Sequence, residues 1–322
     1  MSDRRLRLYI TIICLTLLFT AGCASRQQAV ELYVDAITLK EHKENEKAVQ
    51  KLNRAVEIDK NFSLAHSLLG EIYEQMKDYP QAVASYETAT QLNPWSFKDY
   101  FSLGRVYQTM KEFTLAVNAY RRAAQLKPDH LEANLNSAKC LYKINDYNEA
   151  LVYGKKAEQI NPDISELHQL LGQIYDSQKD YEQAVRSYKR ALEINANDPA
   201  VMMSLAIACL RTNRNEPAKE LLTNVTQLQP DNSSAWQYLG YCFLRLNEVD
   251  RAIVNYRKAI EINNQDWEAV RGLGVSYMLV AIKDDDPDLK KQAVELWRQS
   301  LSIKPDQPRR DRLVELIEKY SK

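Results

Sequence analysis

Glycine and proline are scarce, at 8 and 10 residues in a chain of 322. That argues against a sheet-rich fold with many tight turns and against a flexible low-complexity chain. Neither sign of charge prevails, with 43 basic and 43 acidic side chains. No electrostatic surplus therefore favours nucleic acid or an anionic surface as the main partner. Histidine is limited to His42, His66, His130 and His168, none paired with another at metal-ligand spacing. Phosphate-cradling glycine loops and nucleophile elbows are missing. Long apolar runs are absent too. The one apolar stretch, Leu8 to Thr20, falls short of the roughly 20 residues that span a bilayer.

Cysteine is sparse and does not form a disulfide framework. Beyond Cys14 and Cys23 there are Cys140, Cys209 and Cys242, each among apolar residues of expected helices. They read as buried small hydrophobes. Cys209 and Cys242 fall in adjacent repeats, so a bridge between them stays open. What the chain does have is Ala, Leu, Glu, Lys and Gln in abundance, the composition of helices throughout.

A pattern recurs every 34 residues. Leu69-Gly70-Glu71-Ile72-Tyr73 returns as Leu103-Gly104-Arg105-Val106-Tyr107 and as Leu171-Gly172-Gln173-Ile174-Tyr175. Small residues trace the full series at Ala36, Gly70, Gly104, Ala138, Gly172, Ala206, Gly240 and Gly274. A second series runs through Ala48, Ala82, Ala116, Ala150, Ala184, Ala218 and Ala252. Pro94, Pro128, Pro162, Pro230 and Pro305 close units. Within a unit, apolar residues at three- and four-residue steps predict two amphipathic helices, such as 63–76 and 81–91. Small groups at Gly70 and Ala82 let two backbones approach, while Tyr73 and Tyr86 fill the space beside them. One hairpin cannot bury such a face alone, so neighbours must stack.

These series resemble the tetratricopeptide repeat family. The resemblance implies an all-α fold: a right-handed superhelical solenoid of about eight helical hairpins with a C-terminal capping helix. The units are 29–62, 63–96, 97–130, 131–164, 165–198, 199–232, 233–266 and 267–307. Unit 29–62 is degenerate, with Lys60 where Pro is usual. Gly154 stands where an aromatic is usual, which should weaken packing there. The last unit carries seven extra residues between Tyr277 and Ala293. Residues 308–322 form the capping segment, with Leu313, Leu316, Ile317 and Tyr320 on one helical face. His66 and His168 fall where the family packs Trp or Leu, so core filling is expected of both.

The N-terminus reads as a separate piece. Arg4, Arg5 and Arg7 precede the apolar run, as in a secretory signal. The run ends in Thr20-Ala21-Gly22-Cys23, which resembles the lipobox of bacterial lipoproteins, with Thr20 where Leu is usual. The resemblance implies cleavage after residue 22, lipid on Cys23 and a short linker over 23–28. Ala24, rather than Asp, favours the outer membrane, facing the periplasm. Cleavage removes three Arg and one Asp, leaving the mature chain slightly acidic.

In the repeat family, the second, fifth, ninth, twelfth and thirteenth positions of each first helix face a ligand. Those addresses give a charged early zone of Glu71, Glu74, Lys98, Phe101, Arg105, Lys139, Tyr142 and Lys143. The later zone is apolar with interspersed arginines: Met203, Ile207, Leu210, Arg211, Tyr241, Leu244, Arg245, Arg271, Val275, Met278 and Leu279. It is expected to take an extended or helical segment bearing apolar anchors and an acid group. The family's chaperone-tail clamp is absent, since Ser67, Phe101, Leu135 and Gln169 stand where its first Lys belongs.

Asp284, Asp286, Asp288 and Glu295 have the spacing of a calcium loop. Leu289 sits where that loop needs Gly, so the segment reads as an acidic turn with Asp288 as N-cap; calcium remains the alternative. No catalytic residue, resident metal or cofactor is expected. The function expected is a membrane-anchored, non-catalytic scaffold for proteins of the cell envelope, of the pilus or secretin assembly type. The alternatives are a peptidoglycan-associated adaptor for cell-wall enzymes and an accessory subunit of a transferase or peptidase.

Overall fold

A computed structural model describes residues 25–321. The apolar run and Cys23 lie outside the described residues. No strand occurs among the described residues, and no described helix is long and apolar enough to cross a membrane. The chain divides after Pro162 into two compact units.

The first unit holds α1 (25–41), α2 (Asn45–Ile58), α3 (Ser63–Gln75), α4 (Tyr79–Leu92), α5 (Phe97–Thr109), α6 (Phe113–Leu126), α7 (Leu131–Lys143) and α8 (Tyr147–Ile160). The second holds α9 (Ser165–Ser177), α10 (Tyr181–Ile194), α11 (Pro199–Arg211), α12 (Asn215–Leu228), α13 (Ser233–Arg245), α14 (Val249–Ile262), α15 (Trp267–Asp284), α16 (Pro287–Ile303) and α17 (Arg310–Tyr320). Each unit is a stack of helical hairpins, in which an odd-numbered helix pairs with the even-numbered one that follows. Through α14, every odd helix after α1 is 13 residues long and every even helix 14. The seven extra residues of the last hairpin lengthen both of its helices, to 18 and 17 residues.

The helix boundaries follow from local chemistry. Ser96, Asp198, Asn232 and Asp266 cap odd helices by accepting from backbone N–H groups of the first turn. Asp78, Asp146 and Asp180 do the same for even helices. Asp286, not the expected Asp288, caps α16, because the helix starts two residues earlier than expected, at Pro287, and Asp286 accepts from Leu289 N at 2.9 Å. Proline is preorganised for that first helical position.

The turn inside each hairpin uses a left-handed residue that is never glycine. Lys43, Lys77, Lys111, Asn145, Lys179, Asn213 and Asn247, spaced by the repeat, have φ between 59° and 64°. The Asp78 N–H donates to Tyr73 O at 2.9 Å, and Lys77 N–H to Glu74 O at 3.0 Å. This pair of bonds closes a Schellman end, and the αL residue in it carries strain that glycine would avoid.

The glycines work in the core instead. A Cβ on Gly70 would lie 2.7 Å from the ring of Tyr86, and one on Gly104 the same distance from Tyr120. Gly172 faces Tyr188 and Gly240 faces Tyr256 in the same way. Each partner lies sixteen residues on, at the facing point of the hairpin, and is buried. Where the first position is Ala36 or Ala206, the second is the smaller Leu52 or Leu222, both fully buried. Ala138 is matched by Gly154, and there the adjacent Tyr153 is buried. The small and large residues thus compensate hairpin by hairpin, as close packing requires.

Candidate binding groove

Successive odd helices expose one face within each unit. In the first unit that face is charged, and its charges on α3 and α5 are paired. Glu71 on α3 accepts from Lys98 Nζ of α5 at 2.9 Å and from Lys40 of α1. Arg105 of α5 makes a two-pronged pair with Glu74, at 2.8 and 2.9 Å. The Tyr86 hydroxyl also donates to Glu74. Burial would raise the Glu71 carboxyl, but the hydrogen bonds from Lys40 and Lys98 outweigh it and hold it below its ordinary value. Glu71, Glu74, Tyr86, Lys98 and Arg105, with Gln75 and Ser102, line a cleft of about 540 Å³. Phe101 stacks on Phe97 and also meets Tyr120 and His130. Tyr142 packs against Tyr147.

In the second unit, α13, α15 and α17 enclose a cavity of about 560 Å³. Tyr238, Tyr241 and Leu244 line it from α13; Glu268, Arg271 and Val275 from α15; Arg312, Leu313 and Leu316 from α17. Pro308 and Arg309 close the rim, and Tyr256 forms part of the floor. Tyr256 is wedged between Gly240 and Gly272, where added Cβ atoms would lie 3.0 and 2.4 Å from its ring. Burial pushes its hydroxyl far up from the ordinary value.

The electrostatics of this cavity favour an anion. Three guanidinium groups, from Arg271, Arg309 and Arg312, face one carboxylate, Glu268. Arg312 reaches Glu315 at 2.9 Å, an exposed pair that water screens. Arg309 makes no ion pair among the described residues. Burial, with the like charge of Arg309 added, lowers the tendency of Arg271 to hold its proton. Burial likewise raises the Glu268 carboxyl, and Asp266 beside it adds to the rise. An entering carboxylate would relieve the repulsion between Arg271 and Arg309.

Of the residues expected to form the later zone, Tyr241, Leu244, Arg271 and Val275 meet in this cavity. Arg245 stands beside it, donating to the Tyr241 hydroxyl at 3.0 Å and to Asn213 Oδ1 at 2.7 Å. Leu210 and Met278 are buried, at 6% and 4% exposure, and offer no surface to a ligand. Met203 packs against the cluster of Met202, Val225 and Ala235. Ile207 is half-buried on α11, outside the cavity, and Leu279 is exposed on α15, away from the lining. Arg211 is held by Asp176 and lies over the Tyr181 ring at 5.1 Å. Arg271 donates to Gln307 Oε1 and Pro308 O at 3.1 and 3.0 Å and covers Trp267. It therefore ties α15 to the α17 segment as well as lining the cavity.

The wall supplied by α17 is what the sequence reading missed. Its signal was present. Continuing the unit register past residue 307 puts Arg309, Arg312 and Leu316 at the second, fifth and ninth positions of a ninth first helix. The helix caps the array and also completes its groove.

Elsewhere the chemistry-bearing residues are structural. His168 is buried and His66 half-buried; burial lowers the His66 imidazole from its ordinary value. His130 is the N-cap of α7, its ring nitrogen accepting from Ala133 N. Cys140, Cys209 and Cys242 are free and buried, and burial raises all three thiols. Around the acidic turn, Asp285 pairs with Lys290 and Glu295 with Arg298. Among the described residues, no three His, Cys, Asp or Glu side chains converge to hold a metal.

Comparison with known proteins accords with this architecture. Tetratricopeptide repeat models match residues 63–96, 109–174, 176–240 and 233–266. Over 93 residues the chain is 37% identical to tetratricopeptide repeat protein 37 of Xenopus laevis, a match covering 27% of this chain and 6% of that protein. Among solved structures, YrrB, a TPR protein with an unusual peptide-binding site, shares 18% identity at a TM-score of 0.52. That match covers 64% of this chain and 98% of YrrB. PilF of Pseudomonas aeruginosa shares 23% identity at a TM-score of 0.51, over 64% of this chain and 94% of its own. The two structures share the fold. With the repeat models covering most of the array and the hairpins stacked as they require, the chain belongs to the tetratricopeptide repeat family.

Proposed function

We propose that this chain is a non-catalytic scaffold of a bacterial cell envelope, anchored through lipid on Cys23 and facing the periplasm from the outer membrane. Tetratricopeptide repeat proteins act generally as protein-interaction scaffolds, and YrrB carries a peptide-binding site on the same fold. The observation that carries the reading is the cavity between α13, α15 and α17. Its floor is apolar and aromatic, and its rim holds an excess of guanidinium groups. Such a site takes a peptide segment that buries an apolar side chain and presents a carboxylate. The charged cleft of the first unit is a weaker candidate, because its acids and bases already neutralise one another.

The anchor is supported by the basic head, the short apolar run and the lipobox-like Thr20-Ala21-Gly22-Cys23. A role in pilus or secretin assembly is the service we propose, on the combination of that leader with a repeat array. Fold alone does not fix it.

The test is affinity purification from crosslinked envelope extracts, with the wild type and two variants, Leu244→Glu and Arg309→Glu/Arg312→Glu. Circular dichroism checks that the variants are folded. Recovery of secretin or pilus components by the wild type, lost in both variants, supports the proposal. Recovery of cell-wall hydrolases instead would move the function to the peptidoglycan. Equal recovery by folded variants would overturn the groove. Cys23→Ser, followed by acyl labelling and membrane fractionation, tests the anchor separately.

A further inference from the structure

The turns that join successive hairpins are polar at their third residue, with one exception. Asn61, Asp129, Asp163, Asn197, Asp231 and Gln265 occupy that position, and Trp95 interrupts the series. Its side chain is 76% exposed. Arg122 of α6 holds it there, with its guanidinium 5.4 Å from the ring centroid and Nη2 donating to Pro94 O at 3.1 Å. Held this way, the ring leaves most of its amphipathic surface open to a docking partner.

The place of Trp95 indicates what it docks against. In an antiparallel hairpin, the start of the first helix lies beside the end of the second. The start of α3 and the turn after α4 therefore share one end of the first unit. So do the start of α1 and the turn after α2, where Arg26 reaches Asp59 at 3.8 Å and Tyr33 packs on Phe62. Leu64, at 56% exposure, and Val30, at 45%, are also at this end. Lys60 and Arg122 supply cations, while the charge of Asp59 is offset by Arg26. The described chain enters here at residue 25, two residues after Cys23. Two residues reach at most roughly 7 Å.

We propose that this end of the first unit rests on the lipid bilayer, with Trp95 seated at the headgroup level and Leu64 beside it. The inference rests on the anchor reading, and extends it by assigning the membrane-facing surface. Tryptophan is the side chain suited to that boundary, apolar over most of its ring and polar at the indole N–H. Arg122 and Lys60 meet anionic headgroups. Seated this way, the first unit is oriented by two points, the lipid at Cys23 and the indole one hairpin along.

The experiment uses the full chain on vesicles of phosphatidylethanolamine and phosphatidylglycerol, brominated on the acyl chains near the headgroup. Flotation reads attachment, and quenching of tryptophan emission reads depth, in the wild type and in Trp95→Phe. The expected result is that both chains float and that most of the quenching is lost in Trp95→Phe, since Trp297 is buried and Trp236 and Trp267 are half-buried on the second unit. Equal quenching in the two floating chains overturns the proposal alone. Failure of the full chain to float overturns this proposal and the anchor reading together. Trp95 is largely exposed, so Trp95→Phe leaves folding intact.

Discussion

Gly70 and Tyr86 face each other so closely that a single methyl on the glycine would stand 2.7 Å from the tyrosine ring. Tyr86 is fully buried, and its ring is the nearest atom group a new methyl would meet. Gly70→Ala gains about 1 kcal/mol of helix propensity but forces overpacking that costs about 1–3 kcal/mol. We expect a net loss of up to about 2 kcal/mol in urea denaturation. Gly70→Ala combined with Tyr86→Leu should recover most of it, because Ala36 with Leu52 and Ala206 with Leu222 already use that pairing. Additive losses in the double variant would contradict the account.

The left-handed turn residues predict a gain. Lys111 has φ of 64°, and an L-residue in that region costs about 1–2 kcal/mol. Lys111→Gly should raise stability by about 0.5–1 kcal/mol once the added freedom of the unfolded chain is counted. Lys111→Val should lower it. Thermal melts of the two variants, read in opposite directions, check the assignment.

The buried thiols make stability fall at alkaline pH. Burial pushes Cys140 up to about 11 and Cys242 up to about 12, from an ordinary value of 9.0. Above pH 9 the unfolded thiols lose their protons while the folded ones keep theirs. The native state then binds more protons, so unfolding free energy drops as pH rises from 9 towards 12. Denaturation midpoints between pH 8 and about 11 should show the decline, and Cys242→Ala should shallow it. The same burial makes both thiols slow towards a thiol reagent until the chain is unfolded.

Gln307 predicts how α17 is fixed. It is 2% exposed, accepts from Arg271 and donates to Ser300 Oγ. Gln307→Ala leaves Arg271 without that acceptor and should cost about 1–3 kcal/mol. The loss should be concentrated in α17, as faster amide exchange over residues 310–320. Uniform exchange across the second unit would mean that α17 is held by other contacts.

Much of the fold was legible because the repeat writes it many times over. The spacing of Gly70, Gly104 and Gly172 placed the helices, and the compensating tyrosines follow from the same addresses. The groove was only partly legible. A position number tells which way a side chain leaves its helix, not what the next helix covers. Leu210 and Met278 carry the same number as Leu244 yet are buried, while Leu244 stays half-open. The arginines were legible as charges but not as partners: Asp176 takes Arg211, Asn213 takes Arg245, and Gln307 with Pro308 takes Arg271. Arg309 and Arg312 were missed because α17 was assigned only the role of a cap. Asp286 replaced Asp288 as the N-cap because Pro287, preorganised for the first helical position, starts the helix two residues before Leu289.

The central claim is that the cavity between α13, α15 and α17 holds a partner segment. Site-specific photocrosslinking in the native cell tests it most directly, with a photoreactive phenylalanine analogue replacing Tyr241 in the cavity or Val254 on the exposed face of α14. The account predicts a discrete adduct from position 241, none from position 254, and loss of the adduct when Arg309 and Arg312 are changed to Glu. Equal adducts from both positions, or an adduct at 241 that survives the double arginine change, would contradict it.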